Sequence, residues 1–398
     1  MHYIRLLRPP TVERTRTRHL LKIALTITTD LGDAYLSPQE PIEIAVIGAY
    51  RDDSGALKPV ILTQNATPRW RADIRVLKFD LQLPPSPQSI QTIQIRPSSR
   101  QLAALGTTDV FPVPDGPGLI MGVYADMPSD QEAPSRVCFR SLRLVGSDVS
   151  GPINALQVEE DFGDSIARHI WDGGVVTLSM IANLCLTDLT ATPEALMPLL
   201  RGILRQPGRS LNILELGCGV GIVGIGLSRI LRACSPGSAS HILMTDLQEA
   251  EERTLANISR YSQEACQSEN TAPDVDFESL DWHEGKNGGF GAKVEVCSWD
   301  LVVVSECTYN TDTLLALVQT LSALHMHSAD QSGGSCNTKI FLATKPRHSS
   351  EREAFDMLAK DGWVVDEKTV VPLPVLNSAG QSVEMYLFSR TTSKSLDA

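Results

Sequence analysis

No Cys-x-x-Cys pair occurs among the eight cysteines of this 398-residue chain, at positions 138, 185, 218, 234, 266, 297, 307 and 336. That argues against a zinc ribbon and against a redox dithiol. Eight scattered cysteines in a chain this long do not make a disulfide scaffold either, and reduced thiols inside the cell fit better. No run of about 18 residues is apolar without charged or polar breaks. The richest stretch, Leu211–Leu231, holds Glu215, Arg229 and five glycines, so neither a membrane span nor a secretory signal core is expected. The eight histidines are dispersed, and no set of cysteines or carboxylates matches His325-x-His327 at metal-site spacing, so no metal is expected. Basic side chains number 35 against 47 acidic ones, a balance that suits a general nucleic-acid binder poorly. The deficit is uneven: residues 1–100 carry 14 basic and 9 acidic side chains, and residues 101–398 carry 21 and 38. The negative field belongs to the C-terminal part.

What is present is a globular composition, 42% hydrophobic and 21% charged, long enough for two domains. The first third reads as β-structure, with strands expected at Leu20–Thr28, Ile42–Tyr50, Ile74–Gln82, Thr92–Arg96, Leu119–Tyr124 and Arg136–Val145. Several alternate apolar and polar residues between Pro- and Gly-rich turns, which suggests a small sandwich or barrel. No chemical motif lies in it, so a packing or partner-recognition module over residues 1–150 is expected. Six basic residues and one acid precede Thr28. That bias is shared by mitochondrial transit peptides, but Pro9-Pro10 interrupts an amphipathic helix there, so a solvated basic lead-in to the first strand is the preferred reading. Localisation is expected in cytoplasm or nucleus.

From residue 151 to 398 the pattern changes to short apolar runs alternating with helical segments. Ile213–Leu216, His241–Thr245, Val275–Leu280, Leu301–Ser305 and Lys339–Ala343 read as strands, mostly followed by helices. Such alternation predicts a mainly parallel sheet with helices on both faces. Lys368–Pro372 and Glu384–Ser389, with no helix between them, predict an antiparallel edge hairpin.

The sharpest motif is Asn212-Ile-Leu-Glu-Leu-Gly-Cys-Gly-Val-Gly-Ile-Val-Gly224: a strand, a glycine loop, then a helix whose N-terminus offers free N–H groups. Two cofactor readings fit. Gly219-x-Gly221-x-x-Gly224 matches a dinucleotide loop cradling a pyrophosphate. Glu215-x-Gly217-x-Gly219-x-Gly221 matches the loop of S-adenosylmethionine enzymes, where a carboxylate suits a ligand with an ammonium group. Asp246, closing the second strand, fits a ribose-binding acid under both. Asp281-Trp282 after the third strand can wall an adenine ring, and Trp171 can cap the site from the other side. Ser305-Glu306-Cys307-Thr308-Tyr309 stands at the end of the fourth strand, where doubly wound sheets place their chemistry.

Together, Trp171-Asp-Gly-Gly174, Glu215–Gly221, Asp246, Asn257, Asp281-Trp282 and Ser305-Glu-Cys-Thr-Tyr309 resemble lysine methyltransferase family 16, the seven-strand, Rossmann-like methyltransferases that modify lysines of non-histone proteins. The resemblance covers about residues 155–392. It implies S-adenosyl-L-methionine as cofactor and a protein with a target lysine as partner; a monomer is expected, with no nucleic acid or membrane, as the charge balance and hydropathy above indicate. It implies that Glu215 and the loop Gly217, Cys218, Gly219 and Gly221 hold the methionine end. Asp246 would bind the ribose, Asp281 and Trp282 would flank the adenine, Trp171 would line the channel, and Ser305 would contact the cofactor. Glu306 and Tyr309 would act on the acceptor amine. The family has Asp-x-x-Tyr where this chain has Glu306-x-x-Tyr309, one methylene longer. Methylation of a small molecule and a non-catalytic scaffold are the alternatives. A nicotinamide-dependent oxidoreductase is disfavoured because its Tyr-x-x-x-Lys arrangement is absent.

Overall fold

The computed structural model describes residues 1–15, 18–51, 55–64, 67–84, 90–110, 118–128, 135–144, 155–162, 166–186, 196–206, 208–234, 239–269, 274–334, 337–376 and 380–390. The turns expected at 52–55, 84–87 and 114–117, the domain boundary at 150 and Cys336 fall wholly or partly outside them. The chain divides into two units, one built from residues 1–143, 155–169 and 373–381, the other mainly from Ile170–Pro372 and Ser382–Arg390.

The first unit is a sandwich. One sheet orders Thr11–Arg14, His19–Thr29, His2–Leu6, Ile120–Met121 and Ala103–Ala104, with Leu77–Gln82 on His19–Thr29. The other orders Ala155–Asp161, Val137–Arg143, Val123–Asp126, Ile90–Pro97, Ile42–Arg51 and Leu57–Ile61, with Arg69–Trp70 on Ile42–Arg51. Inward residues of both sheets, among them Ile4, Leu25, Ile44, Ile93 and Trp70, share one core, as aligned sheets with alternating faces require. The extreme N-terminus departs from the solvated lead-in that its basic residues suggest. His2–Leu6 lies between His19–Thr29 and Ile120–Met121, and Tyr3 and Ile4 are wholly buried.

The unit also claims Ala155–Asp161, which pairs with Val137–Arg143, so the first unit runs past residue 150 to about 169. The run Glu159-Glu160-Asp161 is acidic throughout, yet Glu160 is 1% exposed. Arg140 resolves this: its Nε donates to Glu160 Oε2 at 2.5 Å, and its Nη1 donates to the carbonyls of Ile4 and Gly122 at 2.9 Å. A buried carboxylate is tolerated when a guanidinium also satisfied by carbonyls faces it.

In the second unit we number strands and helices from its start. They are α1 (Asp172–Leu186), α2 (Pro198–Leu204), β1 (Asn212–Leu216), α3 (Ile222–Cys234), β2 (His241–Asp246), α4 (Gln248–Glu269), β3 (Val275–Ser279), α5 (Trp282–Gly285), α6 (Ala292–Glu295), β4 (Leu301–Ser305), α7 (Leu314–Gln331), β5 (Lys339–Thr344), α8 (Glu353–Lys360), β6 (Trp363–Pro372) and β7 (Ser382–Arg390). The sheet order is β3-β2-β1-β4-β5-β7-β6. The first five strands are parallel, and β7 and β6 form the expected antiparallel hairpin, with β7 inserted beside β5. The α/β, Rossmann-like seven-strand sheet follows from the strands themselves. β1 and β4 are buried along nearly their whole length, which is what short apolar runs do in a parallel sheet covered on both faces. After β3 the chain crosses to β4 on the other side of β1. That reversal opens a crevice at the carboxyl ends of β1 and β4.

Candidate functional site

The glycine loop leaves β1 at that crevice. Gly217, Gly219 and Gly221 all take positive φ, +69°, +54° and +81°, a region L-residues with a Cβ avoid. At Gly217 space forbids a side chain as well: a Cβ there would lie 2.4 Å from Cys307 Sγ and 3.5 Å from Trp282 Cζ2. Helix α4 holds the loop by its carbonyls. Thr254 Oγ1 donates to Gly219 O at 2.6 Å, and Asn257 Nδ2 donates to Val220 O at 2.9 Å. Thr254 carries no motif signal and was legible only once α4 was seen to face the loop.

Asp246, at the end of β2, ties the loop to its own strand. Its Oδ2 accepts Gly219 N–H and its Oδ1 accepts Leu247 N–H, both at 2.7 Å. Burial holds its carboxyl above the ordinary range, opposed in part by those two N–H groups. The lone pairs left over suit a ribose hydroxyl donor. Cys218 is buried in the loop, and burial, reinforced by Asp246 and Glu215, holds its thiol well above its ordinary range. It is an apolar filler there and no nucleophile.

Glu215 and Asp281 each accept a backbone N–H at the start of a helix. Glu215 is 2% exposed, and its Oε2 accepts Gly224 N–H at 2.8 Å, joining β1 to the first turn of α3. Burial raises its carboxyl to about 8, so near neutrality it is largely protonated. Asp281 caps α5, its Oδ1 accepting His283 N–H at 2.8 Å. Trp282 is half-buried against the core beneath β1 and β4, its ring edge beside Gly217.

The end of β4 brings together what the sequence listed separately. Ser305 is buried, its Oγ 3.5 Å from Thr177 Oγ1 on α1. Cys307 Sγ contacts Leu216 O at 3.3 Å, welding the β4 end to the loop. Glu306 is one of the described non-glycine residues at positive φ, +59°. Its N–H donates to Ala343 O at 3.0 Å and its carboxylate accepts from Arg347 Nη1. Tyr309 is 53% exposed. Burial of the rest of its ring, then the charges of Cys307, Asp246 and Glu249, raise its hydroxyl above the ordinary phenol range, so it stays protonated.

Two residues escaped the sequence reading, both just past β5. Lys345 Nζ donates to Asp172 Oδ2 at 2.7 Å, with the two side chains 7% and 0% exposed. The Arg347 guanidinium, bonded to Glu306, also lies 5.7 Å from the Trp171 ring centroid, in cation–π range. The available signal was Lys345-Pro346-Arg347 at the end of a parallel strand, where ligands gather.

Among the described residues no group of three or more His, Cys, Asp or Glu is arranged to hold a metal. His325 and His327 pack edge-on against Trp363 and Phe290. No helix among the described residues is long and apolar enough to cross a membrane.

The loop, Asp246 and the aromatic edge of Trp282 fit an adenosyl cofactor: backbone donors, a ribose acceptor and a ring wall stand at one crevice. A family model described as lysine methyltransferase matches residues 152–361, just over half of the chain. A UPF0665 family protein of Schizosaccharomyces pombe is 24% identical over 380 residues, which cover 94% of this chain and 98% of that protein. Among solved structures, M. jannaschii TYW2 in complex with AdoMet is 11% identical, covers 67% of this chain and 94% of its own, and has a TM-score of 0.35. A precorrin-6y C5,15-methyltransferase of Geobacter metallireducens is 12% identical, covers 52% of this chain and 92% of its own, and has a TM-score of 0.32. Scores this low leave the fold to rest on the strand order itself. With a family match over half its length and a glycine loop at the carboxyl end of its first parallel strand, the chain belongs to the lysine methyltransferase family and is an S-adenosyl-L-methionine-dependent methyltransferase.

Proposed function

We propose that the chain transfers a methyl group to lysine side chains of a protein substrate, as its family's description suggests. The observation that carries the reading is the flank of the cradle. There Trp171, Glu306 and Arg347 form an aromatic, charge-neutralised wall, and the half-exposed Tyr309 follows three residues after Glu306. A lysine has an apolar stem to lie along such a wall and a polar end to be aimed.

S-adenosylmethionine, when bound, supplies an electrophilic methyl group on a sulfonium. We assign the loop Gly217–Gly221, Asp246, Trp282 and Ser305 to its binding. The amine must arrive neutral, although a free lysine has a pKa near ~10.4. Desolvation of the stem against Trp171 disfavours the charged form and releases the proton to solvent before transfer. Tyr309, held protonated, accepts a hydrogen bond from an amine N–H through its oxygen and fixes the direction of the remaining lone pair. Alignment of that kind supplies much of the rate. Glu306, bound to Arg347, serves as a fixed anion in the wall. The site of action we propose is cytoplasm or nucleus, in keeping with seven described cysteines that are all free.

The test is transfer of a tritiated methyl group from S-adenosylmethionine to proteins of a cell extract, followed by acid hydrolysis. Label recovered as methyl-lysine is the expected result. Label confined to small molecules would refute the protein-lysine reading and leave the methyltransferase.

A further inference from the structure

We propose that Arg347 is a positioning residue for the transfer: it holds Glu306 and Trp171 in one arrangement and so sets the acceptor side of the site. The activity part of its test rests on the protein-lysine reading above; the remainder does not.

Glu306 occupies a backbone region that a side chain enters only when its surroundings hold it there. Its carboxylate lies in a gap at the start of α1 that exists because residue 173 is glycine: a Cβ on Gly173 would stand 2.1 Å from Glu306 Oε1 and 2.4 Å from its Cγ. Arg347 closes the gap from the other side. One guanidinium bonds the carboxylate and lies 5.7 Å from the Trp171 ring centroid. Lysine, a point charge on a flexible stem, cannot do both. Arg347 is itself held. Its Nη1 reaches Lys345 O at 3.3 Å, and the backbone N–H groups of Arg347 and His348 donate to Glu351 Oε1 at 3.2 and 3.1 Å. Glu351 is 5% exposed. Two residues earlier, Lys345 pins Asp172, the first residue of α1. The segment after β5 therefore fastens Trp171, Asp172 and Glu306 with two cations. The ion pair with Glu306 is almost dry, with side chains 19% and 8% exposed. In such surroundings removal of the cation leaves an anion that must move or take up a proton.

The test compares Arg347→Lys, Arg347→Met, Glu306→Gln and the double variant Arg347→Met/Glu306→Gln in the full chain. Calorimetry with S-adenosylmethionine should give affinities within about threefold of wild type for all four. Methyl transfer to extract proteins by Arg347→Met should fall on the order of a hundredfold, and Arg347→Lys should stay slow although the charge is kept. The pH–rate profile of Arg347→Met should gain an inflection from Glu306 that the double variant lacks, and the double variant should regain part of the rate. Loss of cofactor affinity in step with rate, wild-type rates for Arg347→Lys, or an unchanged profile shape would overturn the proposal. If wild type labels no lysine, the protein-lysine reading fails, and melting decides the role of Arg347. Melting shifts of Arg347→Met and Glu306→Gln that compensate in the double variant support the clamp, and strictly additive shifts overturn it.

Discussion

Replacing Glu215 by glutamine should make the protein more stable at alkaline pH without weakening its hold on the cofactor. The carboxyl is buried, and its value rises from an ordinary 4.5 to about 8. The folded state therefore binds that proton more tightly than the unfolded chain does. Its contribution is fully present below 4.5, is lost as pH rises through the window, and is gone above about 8. One pKa unit corresponds to about 1.4 kcal/mol. Between pH 6 and 8.5 this one group then removes about 2–3 kcal/mol of stability, or roughly 5–10 °C of melting temperature for a domain of this size. Glutamine keeps an oxygen for the Gly224 N–H, now 2.8 Å from Glu215 Oε2, and has no proton to lose. Melting of wild type and Glu215→Gln across that pH range should diverge, and the difference cancels the titration of every other group. Parallel curves would refute the argument. Calorimetry with S-adenosylmethionine supplies an independent check. If Glu215 braces the loop, affinity changes by less than about threefold; if its charge held the ligand's ammonium, loss of a charge-assisted bond would weaken binding roughly tenfold or more.

Asp246→Ala should weaken S-adenosylmethionine binding by roughly 10- to 100-fold, since it removes the proposed ribose acceptor and frees Gly219 N–H together; unchanged calorimetric affinity would sink the ribose assignment. Tyr309→Phe should keep cofactor affinity and slow transfer roughly tenfold, and equal losses of both would make Tyr309 structural. Gly173→Ala should destabilise the wild type by about 1–3 kcal/mol, because its Cβ meets Glu306. The same change should be nearly silent in a Glu306→Ala background, and denaturant melting of the four proteins reads the difference. Arg140→Met should cost about 3–5 kcal/mol by stranding Glu160, and a double variant with Glu160→Leu should recover most of it.

The parallel sheet was legible because each of its strands is a short apolar run that stops at a loop, and burial on both faces needs no alternation. His2–Leu6 and Ala155–Asp161 were not legible. Their place depends on Arg140, which lies 136 residues from Ile4 and carries the charge that makes Glu160 admissible in a core. At the site, the glycine loop and Asp246 are local patterns, and their positions followed from sequence. For Glu215 and Asp281 the residue was legible and its contact was not. Both carboxyls turn toward helix N-termini, whose unsatisfied N–H groups compete with any ligand for the same oxygens. Lys345 and Arg347 were invisible because their partners stand 173 and 41 residues away.

The extra methylene of Glu306 has a physical account in the same cluster. A carboxylate at the end of β4 must reach past the start of α1 to meet a guanidinium that is already committed to the Trp171 ring. The left-handed backbone at Glu306 aims the side chain that way, and the missing Cβ of Gly173 clears its path along both Cγ and the carboxyl. Aspartate, shorter by one bond, would place its oxygens where Cδ of glutamate now lies. The guanidinium would then have to leave the indole to follow, or stay and lose the pair. Glu306, Gly173 and Arg347 thus form one solution to one spatial problem. The longer acid spans the distance from the end of β4 to the guanidinium, and the half-exposed Tyr309 follows it three residues on.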